Sequence, residues 1–325
     1  MRTKIIPTEE AAQNKLLKAR ARRSRRRSWT RNWELYLFLL IPLAYILIFK
    51  YGSMGGLIIV FKDYKIRKGI WGSEWVGFEN FVRFFESYEF RRVLINTVKL
   101  SFYTLIAGFP IPIIFALVLN CMKNKRLAKV AQTVAAMPHF ISTVVIVGLV
   151  FTIFHNKEGI YGHLVHILTG KWPSDLFAEP KNFMHFYVWS DVWQGFGWGS
   201  ILYTAALTGV DPSYHEAAML DGASRFQRVI HVDIPAILPT IVTMLILRMG
   251  SVMTIGFEKV YMLQNSLNIS ASQVISTYTY EVGLASGAGD YSYAAAIGMF
   301  NNVVELILVL IVNKISNKLT ETSLW

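Results

Sequence analysis

The chain has 325 residues, 53% of them hydrophobic, and a formal net charge of +12. Its mean hydropathy is +0.38, and its apolar residues gather in six runs near the length that crosses a bilayer, which excludes a soluble globular domain. The positive charge is uneven, because eleven of the 33 lysine and arginine residues fall within the first 31 positions. A nucleic-acid-binding surface spread over the chain is therefore not indicated.

Residues 1–33 are predicted to form a basic tail, with the run ARRSRRRS at positions 21–28. Because cytoplasmic segments next to membrane spans are enriched in lysine and arginine, this tail is expected in the cytoplasm, close to anionic membrane lipid. An RNA-binding tail is the alternative. No aromatic platform that could stack on bases accompanies the basic residues, so no nucleic-acid partner is expected.

The first predicted span covers residues 34–60, and an outer segment, residues 61–92, follows it. Together they make up one predicted unit, residues 34–92. Within the outer segment, FENFVRFFESYEFRR spaces its aromatic residues at nearly helical intervals. This pattern is typical either of an amphipathic helix at the outer membrane interface or of a helix packed on the extracytoplasmic surface. Neither alternative is a catalytic site.

Five further apolar runs predict spans at residues 93–121, 128–154, 184–208, 236–257 and 291–313. The predicted fold is therefore all-α, a polytopic membrane protein with six transmembrane helices. Proline and polar residues interrupt several runs, which spans tolerate where neighbouring helices satisfy the backbone. An even number of spans places both termini on the cytoplasmic side, together with Cys121 and the polar loop between the fourth and fifth spans.

That loop, residues 211–235, carries helix signals of its own. Asp211 can cap a helix, and Pro212 suits the first helical position. Gly222 predicts the end of this helix, since glycine tolerates the left-handed conformation found just past a helix end. The loop is thus expected to hold a short helix followed by a sharp turn.

A second short helix is predicted after the turn. Ser224 and Gln227 form an S-x-x-Q capping box at its start. Pro235 and Pro239 are expected to fix the turn into the next span. On these residues alone, the loop is either a docking element for another protein or a solvated helical hairpin that only connects two spans.

The loop resembles the EAA loop in the membrane subunits of bacterial ABC importers. The family pattern, Glu-Ala-Ala, three residues, Gly, nine residues, then Ile-x-Leu-Pro, is met with Val232 in place of Ile and Ile234 in place of Leu. Both replacements keep an apolar side chain. The resemblance implies a coupling helix that docks into a cytosolic ATPase subunit. The expected coupling residues are Glu216, Ala217, Ala218, Asp221, Gly222, Arg225 and Pro235.

Softer motifs extend the resemblance along the chain. They are FENFVRFF at 78–85, Asn96-Thr97, DPSYHEAAMLDGAS at 211–224, FEKVYML at 257–263 and TYTYEVG at 277–283. On these motifs the chain resembles the carbohydrate-type permease subunits of ABC importers, and among them the polysaccharide and oligosaccharide branch that includes alginate-oligosaccharide importers. The resemblance implies that residues 93–318 form a permease domain in the bacterial cytoplasmic (inner) membrane.

The resemblance also implies partners. They are a second permease subunit in a heterodimer, two cytosolic ATPase subunits and an extracytoplasmic solute-binding protein. ATP and Mg²⁺ would be bound by the ATPase subunits, so this chain is expected to bind no cofactor and to catalyse no reaction. The sequence agrees, because its nearest approach to the phosphate-binding pattern G-x-x-x-x-G-K-[ST], at Gly170-Lys171, continues with Trp172 in place of Ser or Thr.

No other enzyme chemistry is indicated. The sequence contains neither G-x-S-x-G nor H-E-x-x-H. His163 and His166 lie about one helical turn apart, but no cysteine or close carboxylate completes a metal site, so an interfacial histidine pair is favoured and no metal is expected.

Ionisable residues inside the predicted spans, such as Lys99, Asp191 and Glu305, are costly in hydrocarbon and should face protein or water. They indicate either a polar pathway or ion pairs between helices that fix packing. Sugars suit sites that combine aromatic faces with hydrogen-bonding groups, although the same residues also suit a helix–helix interface. The candidate pathway residues of this kind are Trp193, Gln194, Trp198, Tyr203, Arg248, Asn301 and Asn302.

The substrate and the class of protein stay open at this point. Lys99, Arg248 and the basic outer residues 62–68 favour an acidic oligosaccharide. A permease for peptides, amino acids or another solute would share the EAA loop. A membrane channel or interaction protein without ATPase partners would have no need of it.

Overall fold

The structure is a computed structural model that describes residues 33–287 and 289–320. Apart from Trp33, the predicted basic tail lies outside the described residues. The described part is mainly helical, as expected, but it also contains one short antiparallel hairpin. Its strands are β1 (Lys62–Asp63) and β2 (Glu74–Trp75), paired through Lys62 with Trp75 and Asp63 with Glu74.

The chain divides into two compact units, with the boundary after Ile58. The first unit contains α1 (Trp33–Tyr45), a π-helical segment (Ile46–Tyr51) and α2 (Gly52–Met54), and a 3₁₀ segment (Gly55–Phe61) crosses the boundary. These pieces form one helical run of 29 residues, long and apolar enough to cross a membrane.

The second unit holds the remaining helices. The short ones before the first long helix are α3 (Gly69–Gly72) and α4 (Glu79–Glu86). The next are α5 (Tyr88–Gly108), α6 (Pro110–Cys121), α7 (Lys125–Ala136), α8 (Thr143–Phe154), α9 (Ile160–Thr169) and α10 (Pro180–Thr208). They are followed by α11 (Pro212–Leu220), α12 (Arg225–Arg228), α13 (Ile234–Met249), α14 (Phe257–Leu263), α15 (Ile269–Ser272), α16 (Ile275–Tyr280) and α17 (Tyr291–Thr320).

The amphipathic helix of the outer segment, α4, is packed against protein. Phe84 is fully buried, and its ring meets the rings of Phe90, Tyr293 and Phe300 edge to face. Asn80 donates a hydrogen bond of 2.8 Å to the carbonyl oxygen of Val60. Of the two alternatives that the sequence left open, the structure therefore favours a packed helix.

Within the described residues, four helical runs are long and apolar enough to span a bilayer: Trp33–Phe61, Tyr88–Cys121, Arg225–Met249 and Tyr291–Lys318. A fifth candidate is the pair Lys125–Phe140 and Thr143–Phe154, whose parts bend by 99°. The predicted span at residues 184–208 lies within α10, which has 29 residues but is not apolar enough to qualify.

The low hydropathy of α10 follows from its position, because protein covers several of its faces. It packs against α5, α6 and α7, and its residues Val188 and Tyr203 lie in two separate hydrophobic clusters. At Gly197 the approach to α7 is so close that a Cβ atom would lie 2.0 Å from the carbonyl oxygen of Ala135. A helix surrounded by protein can carry polar and small residues that lipid would disfavour.

Candidate functional site

The loop between α10 and α13 is built by the capping interactions that its sequence predicts. Asp211 accepts the Ser213 backbone N–H at 2.9 Å, and Pro212 occupies the first turn of α11. This backbone hydrogen bond holds the pKa of the Asp211 carboxyl below its usual value, because it stabilises the ionised form. The start of α11 is thereby fixed.

The turn after α11 is left-handed at Gly222, whose φ is +78°, as predicted. The Ala223 N–H donates to the Ala218 carbonyl at 2.9 Å, and the Gly222 N–H donates to the Met219 carbonyl at 3.1 Å. These two bonds are the Schellman arrangement that closes a helix end. The angle at which the chain leaves α11 is therefore set by its own backbone.

The predicted capping box then opens α12. Gln227 N–H donates to the Ser224 hydroxyl at 3.3 Å, and the Gln227 side chain accepts the Ser224 N–H at 2.7 Å. The expected turn at Pro235 and Pro239 is wrong, because the helical run continues from Arg225 to Met249. A π-helical segment, Val229–Asp233, leads into α13, which accommodates Pro235 near its start and Pro239 in its interior.

The outer face of this loop is exposed and apolar. Leu220 is 90% exposed and Phe226 is 72% exposed, and Tyr214 lies on the same loop with most of its surface open. Of the expected coupling residues, the structure places Ala218 half-buried, and it places the others on the surface: Glu216, Ala217, Asp221, Gly222, Arg225 and Pro235. Exposed aromatic and aliphatic side chains grouped on one surface loop are typical of protein contact surfaces.

The inner face of the loop is tied to the helix ends by polar residues that the sequence analysis missed. Asp233 is 2% exposed, and its Oδ1 atom lies 3.2 Å from His215 Nε2 and 3.2 Å from Asn120 Nδ2. This contact links α11, the end of α6 and the start of the run into α13. The sequence feature that could have indicated a buried polar contact is the single carboxylate of Asp233 within the mainly apolar stretch VIHVDIP.

A second polar site lies beside α10. Lys259 on α14 is buried, and its Nζ atom lies 3.1 Å from Asp191 Oδ1 and 3.2 Å from Gln194 Oε1. Asp191 also borders a cavity of about 170 Å³ that contains Arg248 and Tyr203. The sequence marked FEKVYML as a motif but did not single out Lys259 within it.

Among the described residues, the cavity beside α10 is lined by one cationic side chain, one carboxylate, aromatic rings and backbone groups. The full lining is Gly108, Phe109, Pro112, Asp191, Val192, Gly195, Phe196, Gly199, Tyr203, Met244 and Arg248. Pro112 has no N–H, so it cannot supply the amide that the Gly108 carbonyl would accept in a regular helix. Such a lining offers donors, an acceptor and ring faces to a hydroxyl-rich molecule.

The structure does not gather all the candidate pathway residues in one place. Tyr203 and Arg248 line this cavity. Trp193 lies on another face of α10, where it borders an apolar cleft of about 470 Å³. Trp198 stacks on His139 with ring centroids 4.8 Å apart.

The remaining candidate pathway residues either form hydrogen bonds with other residues or lie outside both cavities. Gln194 donates to the Ile141 carbonyl at 2.9 Å and accepts from Lys259. Asn301 and Asn302 lie on α17 and border neither cavity. The buried Oδ1 atom of Asn301 has no hydrogen-bond partner among the described residues.

Contacts within the protein engage Glu305 and His166, two of the other residues that the sequence singled out, but not Lys99. Glu305 accepts a hydrogen bond of 2.7 Å from Thr254, whereas Lys99 is exposed on α5. His166 stacks on Trp172 with ring centroids 4.2 Å apart. Within the described ranges, no group of three histidine, cysteine or carboxylate side chains could hold a metal ion.

Comparison with known proteins identifies the family. The family model of the binding-protein-dependent transport system inner membrane component matches residues 108–317. This chain belongs to that family. The matched region lies inside the range 93–318 predicted for the permease domain, and the match confirms the resemblance to permease subunits of ABC importers.

Relatives of this permease family cover nearly the whole chain. Protein LplB of Bacillus subtilis (strain 168) is 43% identical over 291 residues, which is 90% of this chain and 91% of LplB. The polygalacturonan/rhamnogalacturonan transport system permease protein YteP of the same organism is 39% identical over 291 residues, covering 90% of each chain.

Solved permease structures agree with the fold. A chain from the crystal structure of a bacterial ABC transporter involved in the import of the acidic polysaccharide alginate superposes with a TM-score of 0.82 at 36% identity, covering 90% of this chain and 98% of that chain. A second crystal structure, the bacterial alginate ABC transporter with an alginate pentasaccharide-bound periplasmic protein, gives a TM-score of 0.83 at 36% identity, with coverage of 92% and 99%. The chain is thus a multi-pass inner-membrane permease component.

Proposed function

We propose that this chain forms one half of the translocation pathway of an ATP-driven importer for an acidic oligosaccharide. The observation that carries the proposal is the cavity beside α10, where Arg248 provides a cation and Lys259 neutralises Asp191. The relatives support it, because YteP is described as a polygalacturonan/rhamnogalacturonan permease and the solved neighbours belong to an importer of the acidic polysaccharide alginate. Uronate sugars carry the carboxylate that a guanidinium group recognises.

In this proposal the loop 211–235 couples the pathway to ATP hydrolysis. Its exposed Leu220 and Phe226 would enter a groove on a cytosolic ATPase subunit, as apolar helix faces do in helix-in-groove recognition. Glu216 is exposed on the same loop and would add polar contacts. The left-handed turn at Gly222 sets the angle between the two short helices that the groove would contact.

The proposed arrangement has six spans and cytoplasmic termini. Four of the spans are the apolar helical runs, and the bent pair Lys125–Phe140 and Thr143–Phe154 forms another. The remaining span is α10, whose polar residues would face protein and the pathway. The proposed partners are a second permease subunit, two ATPase subunits that bind ATP and Mg²⁺, an extracytoplasmic binding protein and membrane lipid. The neighbour that carries an alginate pentasaccharide-bound periplasmic protein supports the binding-protein partner.

The decisive experiment uses the assembled complex. The chain is copurified with its permease and ATPase partners, reconstituted in proteoliposomes and supplied with binding protein loaded with uronate or neutral oligosaccharides of equal length. Uronate oligosaccharides are expected to stimulate ATP hydrolysis and uptake more than neutral ones. Equal stimulation would refute the acidic substrate, and failure to copurify any ATPase subunit would refute the coupling.

A further inference from the structure

A third cavity, larger than the two beside α10, lies under the loop 211–235. Its volume is about 530 Å³. It is lined by the end of α6, the start of α7, the end of α10, α11, α12 and the segment before α13. The lining residues that matter for its chemistry are Cys121, Lys123, Lys125, Glu216, Arg225, Arg228 and Asp233.

Positive charge on the cavity wall exceeds the negative charge available to it. The Asp233 carboxylate is already held by His215 and Asn120. Lys125 donates to the Asn120 carbonyl at 2.9 Å. Within the described part of the chain, Lys123, Arg225 and Arg228 form no ion pair, and neither does Glu216, which shares the wall.

Arg228 indicates which kind of ligand the cavity would hold. Its Nε atom is buried, and no hydrogen-bond acceptor lies within reach among the described residues. A buried guanidinium donor without an acceptor is destabilising, so such donors normally meet an anion or water. A phosphate group fits several cations at once, because its oxygens accept from both guanidinium and ammonium groups.

The surroundings favour phosphate carried by a lipid over phosphate in solution. Cys121, on the cavity wall, is the last residue of the candidate span Tyr88–Cys121. The adjoining helix α7 begins with basic residues and exposes Leu127 and Val130 along one side. A basic helix with an open apolar face beside the end of a span is typical of the headgroup level of a bilayer.

We propose that the cavity under the loop 211–235 binds a phosphate-bearing anion, supplied by the headgroup of an anionic phospholipid. The phosphate would neutralise Arg228 and Lys123 and hold the loop against the ends of the spans. The cavity shares Glu216 and Arg225 with the residues expected to contact the ATPase, whereas Lys123 and Arg228 are not among those residues and therefore carry the test. Its test measures lipid binding, so its outcome is independent of which solute is imported.

The test uses the assembled transporter, exchanged into phosphatidylcholine vesicles that contain phosphatidylglycerol. The lipid that stays with the complex after purification is quantified by mass spectrometry for wild type, Lys123→Gln and Arg228→Gln/Lys123→Gln. Lys314→Gln/Lys318→Gln removes the same charge from exposed positions of α17 and is the matched control. The double variant in the cavity should retain phosphatidylglycerol at least about tenfold less well, because hydrogen bonds to charged groups are lost.

Cys121 provides a second measurement, since it is the only cysteine of this chain and lies on the cavity wall. The rate at which a maleimide modifies Cys121 is measured on the peptide that contains this residue. Phosphatidylglycerol in the vesicles should slow the modification, whereas inorganic phosphate added to pure phosphatidylcholine vesicles should not. Protection by inorganic phosphate alone would overturn the lipid source and assign the site to a soluble phosphate. Equal lipid retention by wild type and both cavity variants, or equal loss in the α17 control, would overturn the site. If the double variant does not assemble, Lys123→Gln, at an exposed position, carries the test.

Discussion

The Lys259 Nζ atom lies 3.1 Å from the Asp191 Oδ1 atom, although 68 residues separate the two in the chain. The Lys259 side chain is 6% exposed, whereas that of Asp191 is 36% exposed and reaches the cavity beside α10. The pair joins α14 to α10 and, in the part of the chain that the structure describes, leaves Arg248 as the charged residue of that cavity without an ion pair. Both the stability of the helix packing and the charge of the proposed pathway depend on this contact.

Breaking this pair should destabilise the permease. Lys259→Met leaves Asp191 without its partner, and the expected loss is about 1–3 kcal/mol, since solvent reaching Asp191 lessens the cost of an unpaired buried charge. The measurement is the midpoint of thermal unfolding in detergent. Asp191→Asn/Lys259→Met should recover most of the loss, and a double variant as unstable as the sum of the single variants would contradict the pairing.

Arg248 should determine the preference for uronate substrates. Arg248→Gln removes the cation of the cavity and should lower uptake of uronate oligosaccharides at least about tenfold relative to neutral ones in the assembled complex. Lys171→Gln, at an exposed basic residue outside the predicted spans, is the control for net charge. An unchanged ratio of uronate to neutral uptake in Arg248→Gln would place the pathway elsewhere.

The contact between α10 and α7 should tolerate no side chain at Gly197. Because a Cβ atom there would lie 2.0 Å from the Ala135 carbonyl oxygen, Gly197→Ala should force the helices apart and cost roughly 1–3 kcal/mol. Gly195→Ala is the matched control two residues away, where a Cβ atom meets nothing within 4 Å. Thermal unfolding of both variants in detergent checks the expectation, and equal midpoints would show that the close approach is absent in solution.

The left-handed backbone conformation at Gly222 should be required for coupling between the permease and its ATPase subunits. A Cβ atom there meets nothing within 4 Å, so the cost of Gly222→Ala comes only from the left-handed φ and is roughly 1–2 kcal/mol. Gly222→Ala should weaken ATPase pull-down and substrate-stimulated ATP hydrolysis, whereas Gly222→Asn, which tolerates this conformation, should lose less. Glu216→Lys should also weaken both by reversing an exposed charge. Normal coupling in Gly222→Ala and Glu216→Lys would reduce the loop to a connector.

The proposed topology predicts which sites a membrane-impermeant thiol reagent reaches. Each substitution is made in a Cys121→Ser background. The cysteine of Ser174→Cys should be labelled in intact spheroplasts, and the cysteine of Ser224→Cys should not. Both serines are exposed in the structure, so access from the membrane side decides the outcome. Both cysteines should be labelled after lysis. Labelling of Ser224→Cys before lysis would invert or break the six-span arrangement.

The amino-acid sequence by itself determined the helical class and the local design of the loop 211–235. The sequence predicted the helix cap at Asp211, the left-handed turn at Gly222 and the capping box of Ser224 and Gln227. Each of these residues acts on backbone groups only a few positions away, so the same short pattern forms the same local structure wherever it occurs. The expected turn at Pro235 and Pro239 was wrong, because a membrane-spanning helix can accommodate prolines through local π-helical adjustment, and the π-helical segment Val229–Asp233 precedes both prolines.

Only the tertiary structure decided which distant residues meet. Asp233 joins Asn120 across 113 positions, and Lys259 joins Asp191 across 68. Along α10, Trp193 and Tyr203 belong to different cavities because different neighbouring helices cover different faces of the same helix. Helical periodicity states which residues share a face, but which partner covers that face follows from the packing of the whole chain, and that packing selects the residues that border each cavity.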